Sequence, residues 1–91
     1  MRQPVYTGQF SRDLKRSQKR GKDIEKLKVV VRLLTTGEFL PAKFKDHALS
    51  GDWANYRECH LESDWLLIYR IFGETSEVHF MRTGSHSDLF R

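Results

Sequence analysis

Residues 65–72 read WLLIYRIF, and this nearly continuous apolar run decides the fold. Seven of the eight residues are apolar or aromatic, and they lie on both faces, which is typical of a strand buried in the middle of a sheet. Two runs of roughly alternating polarity lie on either side, YRECHLE at residues 56–62 and EVHFMRT at residues 77–83. The connections at residues 63–64 and 73–76 have hairpin length, so the three runs predict an antiparallel meander.

The last run of the meander contains a conflict of faces. In a regular strand Val78, Phe80 and Arg82 point to the same side of the sheet. The first two are core residues by type, whereas the arginine needs solvent. Either a β-bulge shifts the alternation before Arg82, or the end of the strand projects past the elements that cover it.

Two helices are predicted ahead of the meander. Residues 11–20 (SRDLKRSQKR) contain no proline or glycine, begin with a serine that favours the N-cap position, and are followed by Gly21. A second helix is expected from Asp23, as N-cap, to the neighbourhood of Gly37. Its apolar residues recur at helical spacing and are Ile24, Leu27, Val30, Val31 and Leu34. Helices joined so tightly form a hairpin, and this one has too little apolar surface to be stable alone.

These elements predict an α+β fold in which an N-terminal helical hairpin packs on one face of a small antiparallel sheet and leaves the other face open. A further short strand is expected at residues 4–8, and residues 39–55 are expected to form a long ordered loop that carries functional side chains. A chain of 91 residues has room for one domain, which we assign to residues 1–91.

The charge is unevenly distributed along the chain. Residues 1–45 hold twelve basic and four acidic side chains, a net charge of +8, so residues 46–91 carry −4 within the total of +4. Such asymmetry favours an anionic partner, either nucleic acid or an acidic protein. No apolar run approaches the roughly 20 residues that a membrane span needs, and the first residues do not form a secretory signal, so we expect a cytoplasmic protein.

Three of the four histidines lie near other reactive side chains at predicted loop or strand ends. His47 is in the long loop, His60 and Asp64 flank the first hairpin turn, and Arg82 and His86 flank the end of the last strand. For any single histidine a surface role is favoured. Together these five residues indicate a site at one edge of the sheet.

Several kinds of site are disfavoured by the spacing of residues. Cys59 and His60 are neighbours on a strand and point to opposite faces, and the chain has no Cys-x-x-Cys or His-x-x-x-His pair, which argues against zinc. Serine hydrolase, P-loop and dinucleotide motifs are also missing from the sequence. We therefore expect no metal, cofactor or membrane partner, and acid–base chemistry on a bound anion remains.

Cleavage of RNA by its own 2′-hydroxyl fits these residues. The reaction needs a base, an acid and a cation for the charge that develops on phosphorus. Histidine can serve in either proton transfer, and arginine offers a planar fork that matches phosphate oxygens. Two aromatic residues, Trp65 and Phe90, are candidates for stacking on splayed bases.

A basic stripe on the first helix is the candidate contact to the RNA backbone. Its members fall on one helical face and are Arg12, Lys15, Arg16, Lys19 and Arg20. Taken alone, the stripe is equally typical of a solvated helix face.

Two stretches carry a resemblance to a known family. KDHALSGDWANYRECHLESDWLLIYRI at residues 45–71 and RTGSHSDLF at residues 82–90 resemble the YafQ-type branch of the RelE/ParE superfamily of bacterial toxins. The resemblance implies a ribosome-dependent endoribonuclease that cuts mRNA and is neutralised by a cognate antitoxin. It also implies roles for individual residues. His47, His60, Asp64 and His86 would supply proton transfer, Arg82 would stabilise the scissile phosphate, and Trp65 and Phe90 would support substrate placement.

Two other functions stay open at this stage. One is a non-catalytic toxin of the same fold that inhibits a target such as a topoisomerase, as the ParE branch does. The other is a plain RNA-binding or structural domain in which the histidines are incidental. The several titratable groups around one arginine favour the nuclease.

Overall fold

The computed structural model describes residues 1–90. The strands are β1 (Gln3–Tyr6), β2 (His47–Ala48), β3 (Arg57–Glu62), β4 (Trp65–Phe72) and β5 (Glu77–Gly84). The helices are α1 (Gly8–Lys19), α2 (Ile24–Thr36) and α3 (His86–Leu89), with 3₁₀ turns at Ala42–Phe44 and Gly51–Trp53. Among the described residues, no helix has the length and apolar character needed to span a membrane.

The strands form one sheet in the order β1-β5-β4-β3-β2, with the apolar strand β4 at its centre. The predicted antiparallel meander is confirmed, because β3 pairs with β4 and β4 with β5 in antiparallel fashion. The expected N-terminal strand also forms, but β1 pairs with β5 in parallel. The sheet is therefore mixed. The parallel pair is formed by the first and last strands, and both helices, the long loop and strands β2 to β4 lie between them in the chain.

The helical hairpin covers one face of the sheet and forms the main core with it. The fully buried side chains at this interface include Phe10, Val30, Trp65, Tyr69 and Phe80. The start of α1 differs from the prediction, because Thr7 rather than Ser11 is the N-cap and accepts a hydrogen bond from the Phe10 amide. The second helix begins and ends as predicted, at Asp23 and Gly37.

The opposite face of the sheet is partly covered rather than open. Leu66 and Ile68 of β4 and Leu89 of α3 form a second buried cluster on that face. Side chains of the long loop, including Leu49 and Trp53, pack against it. The small helix α3 was not expected from the sequence, because four residues are too few for a periodic pattern.

A β-bulge resolves the conflict of faces in β5. Tyr69 pairs with Phe80 and Ile68 pairs with Arg82, so Met81 is an extra residue on β5. The bulge leaves Phe80 in the main core and places Arg82 in line with Ile68 on the other face. The first of the two expected solutions is therefore correct.

Candidate active site

The register of the sheet aligns the predicted site residues in two rows. His47 on β2 pairs with Glu58 on β3, Glu58 pairs with Ile68, and Ile68 pairs with Arg82. His60 lies in the next row, opposite Leu66. Because directly paired residues share a face, both rows lie on the face opposite the helical hairpin.

Three histidine rings follow one another across this face. The ring centroids of His47 and His60 are 6.1 Å apart, and those of His60 and His86 are 6.0 Å apart. Beyond His86 the ring of Phe90 lies at 6.4 Å, and Trp53 packs edge-on against Phe90 at 6.2 Å. We call His47, His60 and His86 the histidine row. The structure thus brings together the three histidines that the sequence indicated.

Glu58 is a member of the site that the sequence reasoning missed. Its side chain is buried, and Oε1 lies 3.2 Å from Nε2 of His60 and 3.7 Å from Nε2 of His47. Acidic residues in strands are usually solvated, and Glu58 is an exception. Glu58 lies two residues before His60 on the same strand, and side chains at this spacing point to the same face of a sheet. This alternation is the sequence signal that could have identified Glu58.

Asp64 holds His86 at two points. Its Oδ1 lies 2.7 Å from Nδ1 of His86 and accepts a hydrogen bond from the His86 amide at 2.9 Å. Both hydrogen bonds lower the pKa of Asp64 below its ordinary value, and the one from the backbone amide has the larger effect. A carboxylate can only accept, so Nδ1 carries the proton in this contact and Nε2 of His86 is left for a substrate.

Arg82 is held by a carboxylate of α1 at the edge of β5 that β1 leaves unpaired. Nε of Arg82 donates to Oδ2 of Asp13 at 2.7 Å, and Nη2 donates to Oδ1 at 3.2 Å. The amide of Thr83 also donates to Asp13 Oδ2, at 3.1 Å. Because β1 pairs only with residues 77–80 of β5, this carboxylate takes the place of a strand partner beyond that point. The arrangement leaves Nη1 of Arg82 turned away from Asp13.

Asp13 is a second missed residue. It is fully buried, and further hydrogen bonds reach it from Gln9 and Arg16. Burial raises its pKa, but the hydrogen bonds from Arg82, Gln9 and Thr83 outweigh burial, so the pKa lies below its ordinary value. Asp13 is therefore an ionised anchor for Arg82.

Two members of the basic stripe on α1 are occupied by an internal partner. Arg20 donates to Asp88 of α3 at 2.7 Å, and Arg16 lies 3.8 Å from the same carboxylate. Asp88 also closes a capping box with Ser85 at the start of α3, which carries His86. Arg12 contacts Gln9, while Lys15 and Lys19 are exposed. The stripe is thus in part a brace that fixes the helix of His86.

The two predicted stacking residues occupy different environments. Phe90 is 38% exposed at the end of the histidine row. Trp65 is 1% exposed in the main core, so direct stacking of its ring on a base is incompatible with this structure. Its Nε1 has no hydrogen-bond partner among residues 1–90. Trp53 is partly exposed and packs edge-on against Phe90, and the sequence analysis did not identify it.

His47, Glu58 and His60 are also arranged so that they can hold a metal ion. One ligand atom from each lies within 4.8 Å of the other two. Ligands about 2.1 Å from a tetrahedral ion are roughly 3.4 Å apart, close to the 3.2 Å and 3.7 Å separations from Glu58. The sequence argument against zinc considered only ligands that are close together in the chain. It overlooked this triad because His47 lies on β2, whereas Glu58 and His60 lie on the paired strand β3. Cys59 stays excluded, since it is buried on the other face and burial raises its pKa.

Comparison with known proteins agrees with this fold. The family described as the bacterial toxin of type II toxin–antitoxin system, YafQ, matches residues 2–91. The mRNA interferase toxin YafQ of Escherichia coli strain K12 is 48% identical over 86 residues, which are 93% of this chain and 91% of that protein.

Two solved structures are also similar. YafQ in the crystal structure of the Escherichia coli DinJ–YafQ complex has a TM-score of 0.90 and 46% identity, with full coverage of both chains. The metal-bound toxin from Helicobacter pylori has a TM-score of 0.92 and 41% identity, covering 99% of this chain and 100% of that one.

The fold and the matches define a small α+β bacterial toxin. More narrowly, the chain belongs to the YafQ family of toxins from type II toxin–antitoxin systems.

Proposed function

We propose that this chain is a ribosome-dependent endoribonuclease that cleaves translated mRNA in the bacterial cytoplasm. The observation that carries the proposal is the histidine row, with Asp64 fixing one end of it. The relative from Escherichia coli is named an mRNA interferase, which supports the same substrate class. Ribosome dependence rests on the family resemblance and is part of the proposal.

The reaction is an internal transesterification. A base removes the proton of the ribose 2′-hydroxyl, and the 2′-oxygen attacks the adjacent phosphorus. The bond from phosphorus to the 5′-oxygen breaks, and an acid delivers a proton to that leaving oxygen. The products are a 2′,3′-cyclic phosphate and a 5′-hydroxyl end. Two proton transfers therefore occur at one phosphate.

The histidine row supplies the two proton-transfer groups. With rings centred 6.0 Å apart, His60 and His86 are near enough for one phosphate to contact both. One acts as base and the other as acid, and His47 with Glu58 orients His60 from the other side. Asp64 is a positioning residue, because it keeps the proton of His86 on Nδ1.

Arg82 stabilises the charge that develops on the phosphate. Its contact with Asp13 uses Nε and Nη2, so Nη1 remains available to a phosphate oxygen. The same contact removes rotamer freedom from the arginine before substrate binds, which makes the donor preorganised. This mechanism needs no metal. An ion bound by His47, Glu58 and His60 would take the lone pair with which the His60 ring accepts a proton.

An antitoxin that covers the basic half of the chain completes the proposal. DinJ forms a crystallised complex with YafQ of Escherichia coli, and the net charge of +8 over residues 1–45 suits an acidic partner. Coexpression with the product of the adjacent open reading frame tests this point. The pair should copurify and growth should recover, whereas failure of both contradicts the proposed pairing.

The nuclease proposal is tested by expressing the chain in bacteria and mapping the 5′ ends of cellular mRNA. Cuts in phase with codons are the expected result. The runner-up function, inhibition of a topoisomerase, predicts DNA damage without such cuts. If neither appears, the chain is a non-catalytic domain with incidental histidines.

A further inference from the structure

A groove lies beside His60, between α2, the 3₁₀ turn at Ala42–Phe44 and the β3–β4 turn. Its volume is about 450 Å³, within the range typical of small-ligand sites. Its apolar floor is buried, the lysines at its rim are exposed, and His60 is one of its lining residues. Its principal side chains are Lys26, Lys43, Lys45, Val29, Phe44 and Leu61. We call this feature the lysine groove.

The lysine groove keeps an excess of positive charge. Its one carboxylate, Glu62, is already paired with Lys22 at 3.2 Å and Lys26 at 2.9 Å. Lys43 and Lys45 are exposed, and among residues 1–90 neither has a carboxylate within salt-bridge distance. The ammonium group of Lys43 lies 5.2 Å from the centroid of the Phe44 ring, a contact that leaves its charge unneutralised. Two positive charges are therefore available to an anionic ligand.

The lysine groove and the histidine row lie on different faces of the sheet and meet at its edge, where β3 extends beyond its pairing with β2. His60 lines the groove and also belongs to the row. At the other rim, the backbone carbonyl of Lys45 lies 2.8 Å from Nδ1 of His47 and accepts its proton. A polymer whose phosphate reaches His60 therefore meets the groove at its next unit.

We propose that the lysine groove is a substrate subsite that binds the mRNA nucleotide next to the cleaved phosphate. The flat apolar part of that nucleotide would cover Val29, the exposed apolar side chain of the groove, while Lys43 and Lys45 would contact its phosphate. The inference rests on the proposed nuclease function. It also adds the 3₁₀ turn and α2 to the surface that contacts the RNA backbone. On α1, two of the candidate contacts, Arg16 and Arg20, are already paired with Asp88.

The test compares two double variants that remove the same charge. The groove variant, Lys43→Gln with Lys45→Gln, removes two positive charges from the rim of the lysine groove. The α2 control variant, Lys28→Gln with Arg32→Gln, removes two exposed positive charges that lie outside the groove. Single-turnover cleavage of ribosome-bound mRNA is measured against protein concentration and salt. The groove variant should need roughly tenfold more protein for half-maximal rate, while its maximal rate stays within about twofold of wild type. Its log–log salt slope should fall by about 1.4, for two single-strand phosphates.

Each outcome has a separate meaning. If wild-type protein does not cleave mRNA, the nuclease function fails. If it cleaves and the groove variant behaves like the α2 control variant, only the subsite is refuted. If the groove variant loses affinity equally for ribosomes that carry no mRNA, the groove contacts ribosomal RNA and the proposal is overturned. Loss of antitoxin affinity with unchanged mRNA cleavage assigns the groove to an acidic polypeptide and overturns it as well.

Discussion

Oδ2 of Asp13, buried in α1, accepts a hydrogen bond of 2.7 Å from Nε of Arg82 at the end of β5. This contact joins the helical layer to the candidate active site on the opposite face of the sheet. It determines which edge of the guanidinium faces Asp13 and which is left for substrate.

Replacement Asp13→Asn should damage both stability and catalysis. The amide nitrogen of asparagine would face donors from Arg82, Thr83 or Arg16, and the buried negative charge would be lost. We expect a loss of about 2 kcal/mol in unfolding free energy, measured by urea denaturation. At a temperature where the variant is folded, its single-turnover rate should still fall. Gln9→Ala removes another hydrogen bond to Asp13 but leaves the Arg82 contact in place, and it should retain most of the rate. Equal loss in both variants would show that Asp13 is only structural.

Arg82→Ala and Arg82→Lys should differ in a defined way. Loss of one preorganised donor to a developing negative charge costs on the order of 100-fold to 1,000-fold in rate. Lysine restores the charge but cannot bind Asp13 side-on through Nε, so it should recover only part of that loss. Cleavage rates of the two purified variants decide the point. Full activity of Arg82→Lys would mean that charge alone is required.

His86→Ala should separate binding from chemistry. We expect ribosome binding to stay nearly intact while single-turnover cleavage falls on the order of 100-fold to 10,000-fold, the usual contribution of a positioned acid or base. His79→Ala is the matched control, because His79 contacts Glu77 and Phe72 and lies outside the histidine row. Its rate should remain within about twofold of wild type. Wild-type rates in both His86→Ala and His60→Ala would refute the acid–base assignment.

A transition-metal ion should inhibit the enzyme. Zn²⁺ or Ni²⁺ bound by His47, Glu58 and His60 competes with the protons that these histidines exchange. Titration calorimetry should detect one site, and Glu58→Gln should weaken it by at least about tenfold. Chelators should leave the cleavage rate unchanged or raise it, provided that magnesium for ribosome integrity is kept constant. A chelator-sensitive rate restored by Zn²⁺ would instead make the metal part of the catalytic mechanism.

Asp88 should make the protein sensitive to acid. The hydrogen bond from Arg20, with further ones from Ser85, holds the pKa of Asp88 far below its ordinary value despite the opposing effect of burial. A group whose pKa is lower in the folded state stabilises the fold above its unfolded pKa of about 3.9, and this stability is lost as the pH falls further. The difference in unfolding free energy between wild type and Asp88→Asn should therefore be full at pH 6 and shrink below about pH 4. A difference that is independent of pH would show that Asp88 acts through the shape of the cap alone.

The sequence could predict those parts of the site that depend on local patterns. Alternating runs place His60 near the end of a strand and Asp64 in the two-residue turn that follows this strand. Glu58 follows from the same alternation, yet it was missed because acidic residues in strands are more often solvated. Asp13 and Arg82 are 69 positions apart in the chain, and no local pattern signals their contact.

For this protein, the sequence alone determined the helical hairpin, the antiparallel meander with its central apolar strand, and the residue types of an acid–base site. These features depend on short-range periodicity and turn length, which are written in neighbouring residues. Only the tertiary structure decided the parallel pairing of β1 with β5, the bulge at Met81, the burial of Trp65 and the anchoring of Arg82 by Asp13. Each of these features depends on contacts between segments that are far apart in the chain. The packing energy that stabilises them arises only when the helical layer and the sheet are assembled, so no single stretch of sequence contains it.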